Sequence, residues 1–453
     1  MAHGELRIQE AATDAATAQA IELGAAAPRG LFHSFRYRDF ALFWTGACLS
    51  NVGTWMQMVA QSALIYALSG STVTLGVVAF AAQVPMVLLT LVGGSLADRL
   101  DRRRMLLVTQ AVMASTAVAL AVLAATGAIR IWHILVIAVI NGTANGITIP
   151  TFQAMVGDLV PREARGNAIA LNSAQFHLSR SIGPALAAGL FALVQDRPGD
   201  YGGSALCFAA NALSFGAVIG ALLLLRHRPA SVGHLEADWR AEARRFQAGL
   251  LEALGYLRAH PGIELLIHLT AITAFFGMPL VALLPAYAKD VVVPVHPLSA
   301  PAQIQGHLMT ASGIGAVIGA VGITSALRKR RPIPVTLLFA LLYGVTVGAT
   351  GLVAHEFWAW IVMALVGLTG TTYTVMVNTQ IQTSAPDQLR GRLMAIYTLA
   401  FLVSMALGNV LTGWVARGGR VPFALGLNGV LMVLLILVGM VLRRRDWDRA
   451  EQA

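Results

Sequence analysis

Charge is scarce in this sequence: Asp, Glu, Lys and Arg together make up 12% of its 453 residues, about half the share typical of a soluble domain. Hydrophobic residues make up 57%. A chain so poor in charge cannot clothe itself in solvated side chains, which excludes a water-soluble globular protein. Acidic residues are absent where they would matter most. All 22 fall in tails, loops or the ends of apolar runs and none near the middle of one, so a proton relay built on an embedded carboxylate is excluded. Cysteine amounts to Cys48 and Cys207, each inside an apolar run, leaving no disulfide framework and no thiolate metal site. Also missing are a Walker loop, a nucleophile with an adjacent base and any metal-ligand spacing. Enzymatic chemistry, a cofactor, a bound metal and ATP-driven work are therefore not expected. Gly313, Gly315 and Gly319 have the wrong spacing for a dinucleotide loop and are read as helix-packing residues.

What the chain does have is apolar length. Twelve runs can each cross a bilayer about 30 Å thick. They lie near 40–68, 73–96, 105–126, 131–152, 167–194, 204–225, 263–287, 307–327, 333–353, 357–378, 393–415 and 422–442. The expected fold class is an all-α integral membrane protein. The net charge of +10 does not point to nucleic acid, because the basic residues sort by side. With the start of the chain placed inside the cell, twenty-six of the 32 Lys and Arg fall in inner segments and five in outer loops. That is the positive-inside bias, and it puts both termini in the cytoplasm. One basic residue remains within a run, Arg180.

The runs divide six and six. Residues 1–30 read as a cytoplasmic tail without the apolar core and basic start of a signal peptide. Residues 31–226 form a first bundle, 263–442 a second, and 443–453 a closing tail. Between the bundles, 227–262 is polar, and its later part sets Phe246, Leu250, Leu254 and Leu257 on one helical face with Arg244, Arg245, Glu252 and Arg258 elsewhere. This is the pattern of a helix lying on the inner membrane surface, its basic residues favouring anionic lipid. The halves repeat. Pro161, Arg165 and Gly166 in VPREARGNAIAL recur 225 residues later as Pro386, Arg390 and Gly391 in APDQLRGRLMAI, and Gly183 and Gly408 keep the same offset. Six-span repeats of this kind are the sequence mark of a transporter built from two bundles that rock about a central site.

The segment GGSLADRLDRRRML, Gly93 to Leu106, resembles the loop signature of the major facilitator superfamily, with Gly94, Asp98, Arg102 and Arg103 at matching positions. LADRLDRRR, LLEALGYLRAHP, LSRSIGP and QTSAPDQLRGR are similar to the branch containing the enterobactin exporter and macrolide efflux proteins, and the resemblance runs from Phe35 to Leu442. It implies twelve transmembrane helices as two six-helix bundles, with spans one, four, seven and ten lining the cavity. It also implies secondary active export of a small amphipathic or anionic compound, a siderophore or drug, driven by the proton gradient across a bacterial inner membrane by a monomer. An importer of a metabolite or lysophospholipid on the same fold, and a membrane sensor without flux, are the alternative readings. Three positions depart from the superfamily's patterns: Asp101 replaces a usual Gly, Ala326 stands where the second half would carry a counterpart of Asp98, and Ala138 with Asn141 and Gly142 replaces the Arg and Gln-Gly of drug/proton antiporters.

The signature has its own physical logic. Gly94 permits close helix approach, Asp98 can accept from helix amides or an arginine, and Arg102 and Arg103 anchor the turn at the inner leaflet, together forming a latch on the inner side. In the fifth run Ser173, His177, Arg180 and Pro184 share one helical face. Arg180 lies about 20 Å along that helix, close to the bilayer centre. A lipid-facing arginine there is unfavourable, so the face is expected to point into the bundle and offer a guanidinium to a carboxylate, catecholate or phosphate. The competing reading is a structural arginine satisfied by carbonyls or by Asn141, Asn145 and Gln61. Its repeat counterpart is Met405, so it is no symmetric packing device. Further cavity candidates are Asn51, Trp55, Met58, Gln61, Gln83, Asn141, Asn145, Tyr373 and Asn378. His177, beside the arginine, is the candidate coupling residue, with His268 and His307 the other titratable groups in apolar runs. Pro85, Pro150, Pro184, Pro279 and Pro285 are read as kinks or breaks.

Overall fold

The computed structural model describes residues 32–194, 201–226, 249, 251–295, 300–324 and 332–442, with backbone alone for 91–99, 332, 387 and 442. Its helices, in chain order, are α1 (Arg38–Ser69), α2 (Thr72–Arg99), α3 (Arg102–Ala125), α4 (Ile131–Asp158), α5 (Arg165–Leu193) and α6 (Gly202–Leu224). The second half supplies α7 (Pro261–Val292), α8 (Pro301–Ile323), α9 (Pro332–Thr350), α10 (Glu356–Ser384), α11 (Asp387–Val415) and α12 (Val421–Leu442). Each of the twelve apolar runs thus becomes one helical rod. The rod furthest from its run is α8, which starts at Pro301 rather than 307. Gln303, Gln305 and His307 disguise its first turns as loop in the sequence, while Pro301 at the first helical position sets the start.

Ten of the rods are long and apolar enough to cross a membrane. The exceptions are α1 and α5, which are long enough, at 32 and 29 residues, but too polar. These two carry Asn51, Gln57, Gln61, Gln175, His177 and Arg180. Helices that polar fit a bilayer only when most of that side faces protein or water.

Packing follows the repeat. In the first half α2 pairs with α4, α3 with α6, and α1 with α5 and α6; in the second α8 pairs with α10, α9 with α12, and α7 with α11 and α12. Across the halves α2 meets α11 and α8 meets α5. Glycines at the repeat offset make the same approaches. A Cβ at Gly183 would fall 2.6 Å from the Val52 carbonyl oxygen of α1, and one at Gly408 2.1 Å from the Phe275 carbonyl of α7. Likewise a Cβ at Gly142 would meet the Ala82 carbonyl at 2.0 Å, and at Gly367 the Ser312 carbonyl at 1.8 Å. These backbone-to-backbone contacts have no room for a methyl.

The bundles close at one end. Calling the end that holds the start of α1 and the finish of α12 the terminal end, the opposite or far end is sealed by bonds between halves. There the Tyr66 hydroxyl donates to Asp290, Gln305 Nε2 donates to the Ser62 hydroxyl at 2.7 Å, and Thr72 donates to the Gly413 carbonyl at 2.8 Å. Towards the terminal end Ser173, Gln382 and Thr383 are exposed.

Helix α7 breaks once. Pro279 has no N–H for the Phe275 carbonyl, and the helix restarts there after Met278. Asn428 of α12 donates to the Phe276 carbonyl at 3.0 Å and to Thr412 of α11, also at 3.0 Å, bracing the lower piece. The upper piece, Pro279–Tyr287, packs on α1 and α2 of the other half and on α8, α11 and α12 of its own. Pro85, Pro150 and Pro184 sit inside uninterrupted helices, and Pro285 inside the upper piece of α7. Of the linker, residues 251–259 are helical, with Ala253 and Leu257 buried and Leu254 exposed, and Glu252 pairs with Arg392 of α11. Phe246, Leu250, the two tails and Ala326 lie outside the described residues.

Candidate functional site

Arg180 sits where the halves meet, midway along α5. Its Nη2 donates to the Ser312 hydroxyl of α8 at 3.4 Å, and its Cζ stands 5.8 Å from the ring centroid of Trp55 on α1. Phe176, one turn before, meets the same Trp55 ring edge-on at 5.7 Å. No carboxylate pairs with Arg180 among the described residues. A guanidinium held by one long hydroxyl contact and an aromatic face keeps most of its five donors uncommitted.

Phenols approach from the second half. Tyr343 of α9 is buried, wedged where Cβ atoms at Gly277 and Gly370 would fall 2.5 Å and 2.9 Å from its ring. Tyr373, 3% exposed, stands beside Thr270 and Thr273 with its hydroxyl lacking a well-formed hydrogen bond. Tyr397 of α11 stands near Asn378, whose Oδ1 accepts from Gln382 at 2.5 Å. The mid-seam is therefore one cation, an indole and a set of phenols, with no negative charge described.

The other candidates divide. Trp55 and His177 belong to this neighbourhood: the His177 ring packs on Phe176 at 5.7 Å and its Nδ1 is buried without a partner. Met58 packs partly buried against the core, and Asn51 is half-buried on α1. Gln61 accepts from Gln57 at 3.4 Å, and Gln57 in turn accepts from Asn211 of α6 at 2.6 Å. Asn141 turns to α3, where Thr116 donates to it at 2.8 Å, and Asn145 bonds the Asn141 carbonyl at 3.0 Å. Neither reaches Arg180 by a hydrogen bond in the structure. Gln83 keeps a buried, unpartnered Oε1. His268 bonds the backbone carbonyl of Glu264 one turn earlier at 2.9 Å, and His307 sits 3.3 Å from the Glu356 carboxylate at the start of α10.

The comparisons decide the family. A family model described as transmembrane secretion effector matches residues 29–453. The Staphyloferrin A transporter of Staphylococcus aureus is 25% identical over 78% of this chain and 84% of its own. Macrolide efflux protein A of Streptococcus pyogenes is 21% identical over 88% of this chain and 94% of its own. Among solved structures, the D-xylose-proton symporter superposes with a TM-score of 0.69 at 15% identity, covering 87% of this chain and 96% of that one. The chain belongs to the transmembrane secretion effector family of major facilitator transporters.

In this facilitator the signature loop is built differently from the expectation in one respect. Asp101, the departure from the usual Gly, N-caps α3 by accepting from the amides of Arg103 at 2.9 Å and Arg104 at 3.1 Å. Arg102 pairs with Asp158 at the end of α4, at 2.5 Å, and Arg103 donates to the Leu223 carbonyl at the end of α6, at 2.8 Å. These two arginines tie three helix ends of one half together. Gly94 and Asp98 fall in the backbone-only stretch, so the latch assigned to the Asp98 carboxylate lies outside what the structure describes. Sequence reasoning missed Tyr343, Ser312 and the Tyr66–Asp290 pair. Tyr343 and Ser312 gave no local signal, whereas Asp290 was readable as an acid at a span end.

Proposed function

We propose that this facilitator exports a small anionic or acid-bearing amphipathic compound from a bacterial cell, and that Arg180 holds the acidic group. The observation that carries the reading is the charge imbalance of the seam: a mid-helix arginine between the two halves with hydroxyl and aromatic neighbours and no carboxylate partner described. A bidentate acid offered to free guanidinium donors gains charge-assisted hydrogen bonds in a poorly solvated place. Trp55, Met58 and Asn51 of α1, with Tyr373 and Asn378 of α10, form the surrounding wall, and Gln61 and Asn145 extend its polar path. The efflux name carried by macrolide efflux protein A supports the outward direction.

The bundles rock about this point, so that the far end, sealed in the present conformation, opens as the terminal end closes. The excess of basic residues on one side of the apolar runs supports cytoplasmic termini, and the protein works as a monomer in the inner membrane. The proton gradient is the driver, with His177 as the titrating group beside the substrate. Asp98, with Gly94, Arg102 and Arg103, holds the inner side in the other half of the cycle.

The test is accumulation of a panel of siderophores and antibiotics in cells with and without the gene, with Arg180→Ala and Arg180→Lys alongside. Lower accumulation of acidic compounds only when the native protein is present supports the reading. Normal export by both variants, folded and expressed, overturns it.

A further inference from the structure

The helix that carries Arg180 changes character at that residue. Ile169, Ser173, Phe176, Arg180, Pro184 and Ala187 follow one another at spacings of three or four and form a single row along α5. The members before the arginine, Ile169, Ser173 and Phe176, are exposed, whereas Pro184 and Ala187 after it are buried. That burial belongs to the contact with α8, where a Cβ at Gly306 would lie 2.8 Å from the Pro184 carbonyl oxygen. The opposite side of α5 exposes Leu178 and Ile182 and is the one left to lipid. A guanidinium at mid-membrane does not share that side, so the exposed residues in line with it face the join between the halves.

Phe176 is the aromatic member of the row, 48% exposed and one turn before Arg180. Its ring is held in place. The Trp55 indole of α1 meets it at 5.7 Å with the planes 69° apart, and the His177 imidazole meets it at 5.7 Å with the planes 81° apart. Trp55 is itself fixed by close helix approach, since a Cβ at Gly183 would fall 2.6 Å from the Trp55 Cβ. Gly183 lies nearly one turn beyond Arg180, and a helical side chain leans back towards its own N-terminus. The indole therefore comes down alongside both Arg180, whose Cζ stands 5.8 Å from its centroid, and Phe176. A cation and a half-open aromatic ring thus sit about 6 Å apart along one helix. An aromatic residue whose role is core packing would be covered; this one is braced on two sides and left open.

We propose that the compound held by Arg180 is an aryl acid, with its acidic group on the guanidinium and a flat aromatic ring within one helical turn, and that Phe176 is the residue that selects the ring. Aromatic rings packed edge to face or offset attract each other through their quadrupoles, beyond what burial of their area supplies. A saturated ring of the same size buries as much apolar surface on Phe176 but lacks that term. An aromatic cation gains the same ring contact and is turned away by the guanidinium. The pair of residues therefore reads both ends of one molecule. The inference rests on the proposed role of Arg180 and adds the second recognition element of that site.

The experiment compares two acids that differ only in the ring. The full chain is purified into lipid nanodiscs, and binding of 3-phenylpropionate and of 3-cyclohexylpropionate at neutral pH is titrated by saturation-transfer NMR, with empty nanodiscs giving the lipid background. The native protein is expected to bind the phenyl acid roughly two- to tenfold more tightly, the worth of one aromatic pair, although the saturated ring is the more apolar. Phe176→Leu is expected to bring that ratio to one or below, and Phe176→Tyr, which keeps the ring, to preserve it. A residue that merely supported Trp55 would change both affinities together and leave the ratio alone. A ratio of one in the native protein, a ratio unchanged by Phe176→Leu, or no binding of the phenyl acid at millimolar concentration overturns the inference. The Arg180 reading fails in a different measurement. Arg180→Gln is expected to weaken both acids, and unchanged affinity for both would overturn that reading whatever the ring ratio.

Discussion

Arg180 and Ser312 meet across the two halves of the molecule, 3.4 Å apart, on helices that the repeat relates to different partners. The hydroxyl satisfies one of five guanidinium donors, so the bond holds the side chain in the seam without neutralising it. A serine in that place leaves the charge available to an incoming acid, where a carboxylate would cancel it. The first expectation follows from this pairing. Arg180→Lys keeps the charge but loses the planar fork, and export of acidic compounds is expected to fall about tenfold, with Arg180→Ala lower still. Thermal unfolding in detergent should stay near that of the native protein for both, since no ion pair is broken.

The far-end seal gives a second. Tyr66 donates to Asp290 between the halves, and removing one partner through Tyr66→Phe is expected to loosen the seal by about 1.5–3 kcal/mol, the value of a hydrogen bond to a charged group. Reaction of a cysteine at Ser62, in a chain without Cys48 and Cys207, should accelerate to match. An unchanged labelling rate would show that the pair does not hold the end closed.

Asp101 yields a third. As N-cap of α3 it accepts from two amides, so Asp101→Ala is expected to cost about 0.5–2 kcal/mol, whereas Asp101→Gly, the residue usual at that place, costs only a few tenths. The order of the two melting temperatures is the check. A Gly variant less stable than the Ala variant contradicts the capping role.

Close backbone approach gives the fourth. Gly142→Ala and Gly367→Ala place a methyl about 2 Å from a carbonyl oxygen of the facing helix, so each is expected to destabilise by roughly 1–3 kcal/mol or force the helices apart. Gly157→Ala, where a Cβ meets nothing, serves as the control and should be neutral.

Much of this architecture is legible in the sequence, for reasons of solvent. A bilayer demands long apolar runs, so the twelve rods and the 225-residue repeat appear directly, and Gly183 and Gly408 occupy equivalent helix contacts. Arg180 is equally visible, because a charge inside an apolar run has so few tolerable places. What escapes is anything decided by a partner distant in the chain. Asn141 looks like a cavity residue on α4, yet Thr116 on α3 claims it; helical spacing alone cannot tell an inward polar face from one turned to a neighbour in the same half. Tyr343 is one aromatic among many until Gly277 and Gly370 are seen on either side of it. The break at Pro279 could be suspected, but not distinguished from Pro184, which α5 absorbs without interruption.

The most direct test of the account measures charge preference at Arg180. Transport into inverted membrane vesicles would be compared for an acidic compound and its methyl ester, matched in size, with the native protein and Arg180→Gln. The account predicts that the native protein favours the acid by about tenfold or more, as befits a charge-assisted pair, and that Arg180→Gln abolishes the preference while still moving the ester. Equal preference in the two proteins would contradict it, and would leave Arg180 as a packing residue of the seam.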